Sequence, residues 1–286
     1  MSRSVHCPFI LCFAVALVFA IASTACNSYT KPTSEPPPAS TGTATGPSTS
    51  DIMTRFYSLD RGRDSVLRMK VKIAGSGGGV ETGTPGQVEV SLYNKRTAGG
   101  GRLMLIEFLS PAQERDRDAL ITITPKDEVE GIRYVQSNNS FLVTKGVTNE
   151  DALFGMTIQE LADGQPEKYD YTLIGQQELG PWEVYKLEGK LKPDAESKFA
   201  RVTLYLSKDS YAAVGAEFYD SRNELLRRLT VSKLELISGH WTRKQWTLEN
   251  PARNKRLEFE TVDARYDQGL SDAIFSRDHL KKLATK

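Results

Sequence analysis

Most of the chain consists of short runs in which apolar and polar residues alternate. Residues 67–73, 88–92, 200–206 and 212–218 all show this period of two. Such a period predicts a β-strand with one buried side and one side in water. Further strands are predicted at 168–177, 182–191, 227–236, 241–249 and 256–266, with turn residues between them. Many antiparallel strands without interleaved helices predict a mainly β protein built on one large curved sheet or barrel.

One stretch departs from this alternation. Residues 103–109 (LMLIEFL) are apolar on both sides, and residues 119–123 (ALITI) are similar but milder. A strand of this kind needs cover on each face, whereas a sheet with one solvated face does not. We therefore expect helices to pack against this part of the sheet.

Three helices are predicted. The first candidate for cover is 149–161, where Asn149 is a good N-cap and Phe154, Ile158 and Leu161 repeat at helical spacing. A second is 51–59, in which Ile52, Phe56 and Leu59 share one side, and the third, 276–283, closes the chain. Each helix could equally complete an ordinary core, and this alternative remains open.

The N-terminus has the pattern of a secretory signal. Arg3 precedes an uncharged apolar run of 14 residues, 9–22, and small residues lead to Cys26. The run is shorter than the roughly 20 residues that span a bilayer, so cleavage is favoured over a retained transmembrane anchor. The segment resembles bacterial lipoprotein signals, which implies that residues 1–25 are removed and that Cys26 carries lipid.

Residues 26–50 follow as a tether rich in Pro, Ser, Thr and Gly. Such a composition cannot bury enough apolar surface to fold, so it predicts a semi-flexible spacer. The folded domain is predicted at 51–286. In the lipoproteins that this signal resembles, Asp after the cysteine favours retention in the inner membrane. Asn27 stands there instead, which favours the outer membrane, facing the periplasm of the bacterial envelope.

The composition of the chain narrows the classes of function that it could have. The 37 basic and 36 acidic residues balance, which argues against a nucleic-acid partner. Cleavage would leave Cys26 as the one cysteine, and His240 and His279 as the two histidines, at a spacing that fits no metal site. The charged run 115–118 is expected to form a solvated patch. We therefore predict no enzyme, no catalytic or metal-binding residues and no cofactor.

The order of several segments resembles the outer-membrane lipoprotein-sorting family, the relatives of LolA and LolB. The resemblance rests on residues 106–111 (IEFLSP), 120–124, 132–135 (IRYV), 149–153 (NEDAL), 219–226 (YDSRNELL), 237–241 (ISGHW), and 266–276 (YDQGLSDAIFS) with Leu280 after it. It implies an incompletely closed, half β-barrel of antiparallel strands with covering α-helices and a hydrophobic cavity for acyl chains. Such a fold would account for the doubly apolar strand.

The leading hypothesis is a lipid-anchored protein that sequesters acyl chains of a lipid or lipoprotein, in lipoprotein sorting or lipid transport. The residues predicted to line the cavity are Met104, Ile106, Phe108, Phe154 and Ile158. The alternative is a non-enzymatic structural or adaptor lipoprotein with the same fold and a filled core, whose partner is an envelope transporter or assembly.

Overall fold

The computed structural model describes residues 46–74, 86–126, 128–145 and 166–285. The two described α-helices are α1 (Thr49–Tyr57) and α2 (Arg277–Ala284). The strands are β1 (Asp64–Ala74), β2 (Gln87–Arg96), β3 (Arg102–Ser110), β4 (Ala119–Ile123), β5 (Val129–Val135), β6 (Ser140–Lys145), β7 (Tyr169–Leu179), β8 (Trp182–Leu191), β9 (Arg201–Ser207), β10 (Ala213–Tyr219), β11 (Leu225–Ile237), β12 (His240–Asn250) and β13 (Lys255–Tyr266). Short 3₁₀ turns lie at Ala112–Arg117, Gln136–Asn138, Pro166–Lys168, Pro251–Arg253 and Asp272–Phe275.

All 13 strands belong to one sheet, in the order β6-β5-β4-β3-β2-β1-β13-β12-β11-β10-β9-β8-β7. Every described pair is antiparallel, and the first and last strands pair with each other in the middle of the sheet. In the described ladders β6 and β7 form the two edges, so the sheet is not closed into a barrel. The prediction of a mainly β, incompletely closed antiparallel sheet with few helices is confirmed.

The predicted strands agree closely with the observed ones. The strands at 119–123 and 182–191 have the predicted bounds, and most others differ by one to three residues at an end. The alternation did not predict β5 and β6. Gly131 interrupts the apolar pattern of β5, and three adjacent apolar residues, 141–143, blur the pattern of β6.

Helix α1 begins two residues before the predicted domain, because a capping box fixes its start. The Ser48 hydroxyl accepts a hydrogen bond from the Asp51 amide at 3.1 Å, and the Asp51 carboxylate accepts one from the Ser48 amide at 3.0 Å. The box satisfies two backbone donors that a helix N-terminus leaves open. The Ser48 hydroxyl, which also donates to the Asp51 carboxylate at 2.7 Å, and the Ser48 amide together hold the pKa of Asp51 below its usual value.

Asp64 connects the start of β1 to the loop that leads into α2. Its buried carboxylate accepts hydrogen bonds from the amides of Gln268, Gly269 and Leu270 at 2.7 to 3.1 Å. Bonds from several amides to one charged group are among the stronger hydrogen bonds in proteins. They fix the position from which α2 returns to the sheet.

The predicted signal segment, the lipid site Cys26, most of the tether and the predicted helix 149–161 lie outside the described residues. Among the described helices none is both long and apolar enough to cross a membrane.

Candidate functional site

An unbroken row of apolar side chains crosses eight neighbouring strands. Each member is the direct cross-strand partner of the next, so all of them point to the same side of the sheet. The row is Leu173, Leu187, Leu204, Ala216, Leu229, Leu248, Leu257 and Ile73, from β7 to β1. We call this side of the sheet the long apolar face.

The long apolar face continues into the strand that the sequence singled out. Phe108 pairs with Val90, and Val90 pairs with Met69 on β1. Ile106 and Met104 follow at the alternate positions of β3 and therefore face the same way. The predicted lining residues Met104, Ile106 and Phe108 thus lie together and are buried. Their role in binding stays a prediction, and Phe154 and Ile158 lie outside the described residues.

These three residues belong to a buried cluster that the strands alone form. Its members come from β1 to β5, β12 and β13, and among the described residues no helical side chain belongs to it. Trp246 and Phe259 stack at its border, with ring centroids 3.7 Å apart and planes within 1°. The strand side chains thus form a continuous apolar surface here.

Helix α1 covers the other end of the long apolar face. Its buried side chains Ile52, Met53 and Phe56 pack against Tyr185, Leu187, Leu204 and Leu206. The prediction that Ile52, Phe56 and Leu59 share a packing side is confirmed, because Leu59 packs against the same cluster. This helix is the described element that lies over the face.

Polar contacts hold both ends of α1. The Thr49 hydroxyl accepts a hydrogen bond from the Leu173 amide at 2.9 Å, and Tyr57 donates one to the Pro166 carbonyl at 3.3 Å. In between, Arg55 donates to the Tyr211 hydroxyl at 3.1 Å. Burial raises the pKa of Tyr57 to about 12, so its hydroxyl keeps its proton at neutral pH.

The opposite side of β3 is covered by α2. Leu105, Leu120 and Ile132 are direct cross-strand partners, and Leu280 and Leu283 of α2 pack onto them together with Phe275. The predicted helical cover of the doubly apolar strand is confirmed on this side, where it is the last helix rather than the first candidate. No local feature of the sequence reveals such a long-range contact.

The expectation of a solvated charge patch at 115–118 is wrong for Asp118. Its side chain is 3% exposed, and its carboxylate accepts a hydrogen bond from the Phe108 amide at 2.7 Å. Burial raises the pKa of Asp118 to about 7, although the Phe108 bond opposes this. The carboxyl group therefore fixes the backbone of β3 next to a predicted lining residue.

The two described histidines occupy different environments. His240 is buried against the Tyr266 ring, and its Nδ1 lies 3.2 Å from the Asp60 carbonyl. His279 lies on α2. Across the described ranges no group of three or more His, Cys, Asp or Glu side chains could hold a metal ion.

The lining residues predicted from the sequence and described in the structure lie on β3, and most of the long apolar face lies on other strands. The signal was present, because the alternation in 200–206 and 212–218 separates an apolar side from a polar one. Only the strand order shows that these apolar sides join into one surface with that of β3.

Similarity to known proteins extends over most of the chain. A family model described as "uncharacterized protein" matches residues 100–282. Among solved structures, a DUF1329 family protein from Desulfovibrio piger has a TM-score of 0.70 at 23% identity, with 80% of this chain and 96% of that chain covered. No curated protein gives a significant match.

Two further solved structures share the fold. A putative outer membrane lipoprotein-sorting protein domain from Vibrio parahaemolyticus has a TM-score of 0.64 at 20% identity, covering 80% of this chain and 97% of that one. A LolA superfamily protein from Nitrosomonas europaea has a TM-score of 0.59 at 14% identity, covering 82% and 100%. Because the family model spans more than half of its residues, the chain belongs to the family of uncharacterized proteins that this model describes, and its fold is that of the DUF1329 and LolA superfamily structures.

Proposed function

We propose that the protein is a non-enzymatic, lipid-anchored protein of the bacterial envelope that binds acyl chains of a lipid or lipoprotein on the long apolar face. The observation that carries this proposal is the unbroken row of paired apolar side chains across eight strands, which runs beneath α1 at one end. The similarity of the fold to a putative lipoprotein-sorting domain and to a LolA superfamily protein supports it.

The physics of binding would be burial of apolar area. Each methylene removed from water contributes about 0.8 kcal/mol, so an acyl chain of about 15 carbons gains on the order of 10 kcal/mol before ordering costs. Such a ligand needs no polar group for recognition. Leu, Ile, Val, Met, Ala and aromatic side chains form the clusters on this face and suit such a ligand. The buried Arg227, the cross-strand partner of Phe218, is a polar exception on the face.

In this proposal Cys26 carries the anchor, residues 26–50 form the spacer, and the protein faces the periplasm from the outer membrane. Its activity would belong to lipoprotein sorting or lipid transport. Met104, Ile106, Phe108, Phe154 and Ile158 would line the acyl-chain site. Helix α1 would close one end of it.

The direct test is lipid content. Native mass spectrometry of the purified mature protein should detect bound lipid beyond the anchor, and the protein should take up a fluorescent fatty acid. Protein that carries no lipid and takes up none would refute the proposal.

A matched pair of variants on β3 then assigns the site. Phe108→Asp places a charge on the long apolar face, and Leu105→Asp places the same charge on the opposite side, beneath α2. If Phe108 lines a cavity, water can enter there, and the Phe108 variant should stay folded by circular dichroism while it loses fatty-acid binding. Leu105→Asp should unfold, because a charge in a packed core has no partner.

A second candidate function is an adaptor that presents its surface to an envelope transporter. The observation in its favour is that Met104, Ile106 and Phe108 are only 5%, 4% and 1% exposed, which suits a filled core. On this alternative Phe108→Asp should unfold as readily as Leu105→Asp, and wild-type protein should take up no fatty acid.

A further inference from the structure

The β11–β12 hairpin extends past β10 in the sheet. In the described ladders, pairing of β11 with β10 ends at Thr230. On the other side β13 runs beside β12, since Gln245 pairs with Glu260 and the Thr261 hydroxyl donates a hydrogen bond to the Arg243 carbonyl at 2.7 Å. Residues 232–244, which we call the distal hairpin, continue with pairs from Leu234–Arg243 to Ile237–His240. At about 3.3 Å per residue, the β11 arm extends roughly 20 Å beyond its β10 ladder.

The distal hairpin is held in one conformation. Ser238 and Gly239 form its turn with φ values of 50° and 85°, the left-handed pair that suits tight two-residue hairpins. Near its end, the His240 ring stacks on Tyr266 at 4.3 Å, and the Thr242 hydroxyl lies 2.7 Å from that of Tyr266. The tip therefore has little conformational entropy to lose on docking.

The tip carries a pair of exposed apolar side chains. Leu236 and Trp241 are direct cross-strand partners and are 57% and 40% exposed. Leu236 has the highest exposure among the exposed large apolar residues of the described chain. Trp next to an aliphatic residue on a protruding element is typical of surfaces that enter the headgroup layer of a membrane.

The distal hairpin itself carries an excess of positive charge. It contains Lys233, Arg243 and Lys244 and a single acid, Glu235, while the carboxylates of Asp60 and Asp267 lie 3.7 and 3.4 Å from the His240 ring on the opposite side from Trp241. Lys233 lies 2.6 Å from the Glu235 carboxylate, and together with Lys244 it lowers the pKa of that group. The excess of two positive charges within the hairpin favours anionic lipid headgroups.

The predicted tether makes such a contact accessible. Ser48, the cap of α1, lies 22 residues after Cys26, and an extended chain of that length reaches about 75 Å. A domain held by this spacer meets its own membrane at high effective concentration, so a small patch suffices to orient it. We propose that the distal hairpin inserts Leu236 and Trp241 into the anionic bilayer surface to which Cys26 is anchored; the inference rests on the anchor in the proposed function.

The test uses the full lipidated protein in vesicles of three parts phosphatidylethanolamine to one part phosphatidylglycerol, with brominated lipids as the quencher. We expect brominated lipid to remove about a third or more of the tryptophan emission, since Trp241 lies beside lipid while Trp182 and Trp246 stay within the fold. In the Trp241→Phe variant this quenching should disappear. Leu236→Ser should reduce it, and the matched variant Ile174→Ser, which alters an exposed apolar residue of edge strand β7, should not.

Flotation of the vesicles separates the possible failures. Protein that does not float with the vesicles contradicts the anchor in the proposed function. Protein that floats but shows no quenching overturns the hairpin inference and leaves the anchor intact. Equal quenching of wild type and Trp241→Phe also overturns it, because the quenched tryptophan would then lie elsewhere. A tip that instead binds a protein partner would give no quenching and count against a lipid contact.

Discussion

Two regions of the same sheet meet water in opposite ways. From β8 to β13, the side opposite the long apolar face carries a row of polar, mostly charged cross-strand partners, and Lys70 and Lys72 continue this polar side on β1. The row is Glu188, Thr203, Glu217, Arg228, Glu249 and Arg256. In β3, β4 and β5 that same side carries Leu105, Leu120 and Ile132 and lies beneath α2. We call these the one-sided and the two-sided region.

The charged row shows how the one-sided region remains stable without cover. Arg228 and Arg256 lie 3.0 and 2.7 Å from the carboxylates of Glu217 and Glu249. Although burial opposes it, hydrogen bonds from Tyr219 and Arg228 hold the pKa of Glu217 below its usual value. Exposed ion pairs contribute little each, but they keep the face compatible with water. The two-sided region instead gains stability from burial on both sides, and it depends on α2 for it.

The largest expected difference in the free energy of unfolding follows from truncating one side chain in each region. Leu105→Ala removes a fully buried side chain beneath α2 and should lower the free energy of unfolding by about 3 kcal/mol. Lys70→Ala, on the exposed side of β1, should change it by less than about 0.5 kcal/mol. Urea unfolding of both variants measures the difference.

Equal effects of these two substitutions would contradict the comparison, because they would mean that α2 adds no buried core. Lys70→Arg serves as a control, since it preserves the charge opposite Glu89 and Glu260 on the neighbouring strands.

The sequence predicts the strands of both regions but not which helix covers the two-sided region. Alternation in 67–73 and 200–206 predicts strands with a wet side, because burial of each residue depends only on which side of its strand it occupies. The unbroken apolar run 103–109 predicts the need for two covers. The helix that covers the side of Leu105 is α2, because Leu105 and Leu280 pack in one buried cluster although they are far apart in the chain. Local patterns do not encode such pairs.

The buried acid at the edge of the two-sided region predicts a smaller, pH-dependent effect. Burial raises the pKa of Asp118 to about 7, well above the ordinary value of an aspartate. Between pH 4 and 7 the unfolded chain therefore loses a proton that the folded chain keeps, so stability falls as pH rises through this range. We expect the free energy of unfolding of the wild type to fall by about 2 kcal/mol over this range. That of Asp118→Asn should change little, and its amide oxygen can still accept the hydrogen bond from the Phe108 amide.

Unfolding free energies measured from pH 4 to 8 would check this. Asp170→Asn, at an exposed position of β7, provides the control and should follow the wild-type profile. A wild-type profile identical to that of Asp118→Asn would show that Asp118 is not held in its neutral form.

The smallest expected loss of stability follows from removing the serine cap at the start of either covering helix. The Ser276 hydroxyl accepts the His279 amide at 3.2 Å at the start of α2, as the Ser48 hydroxyl accepts the Asp51 amide at the start of α1. Loss of either cap should cost about 1 kcal/mol, but in different places. Ser276→Ala should speed amide hydrogen exchange in α2 and in the strands beneath it, β4 and β5, and leave α1 unchanged. Ser48→Ala should do the reverse, with faster exchange in α1. Helix α2 supports a buried core on its side of the sheet, whereas α1 covers the end of the long apolar face. If either substitution alone speeds exchange in both helices, the two helices open together. The two regions would then not be independent.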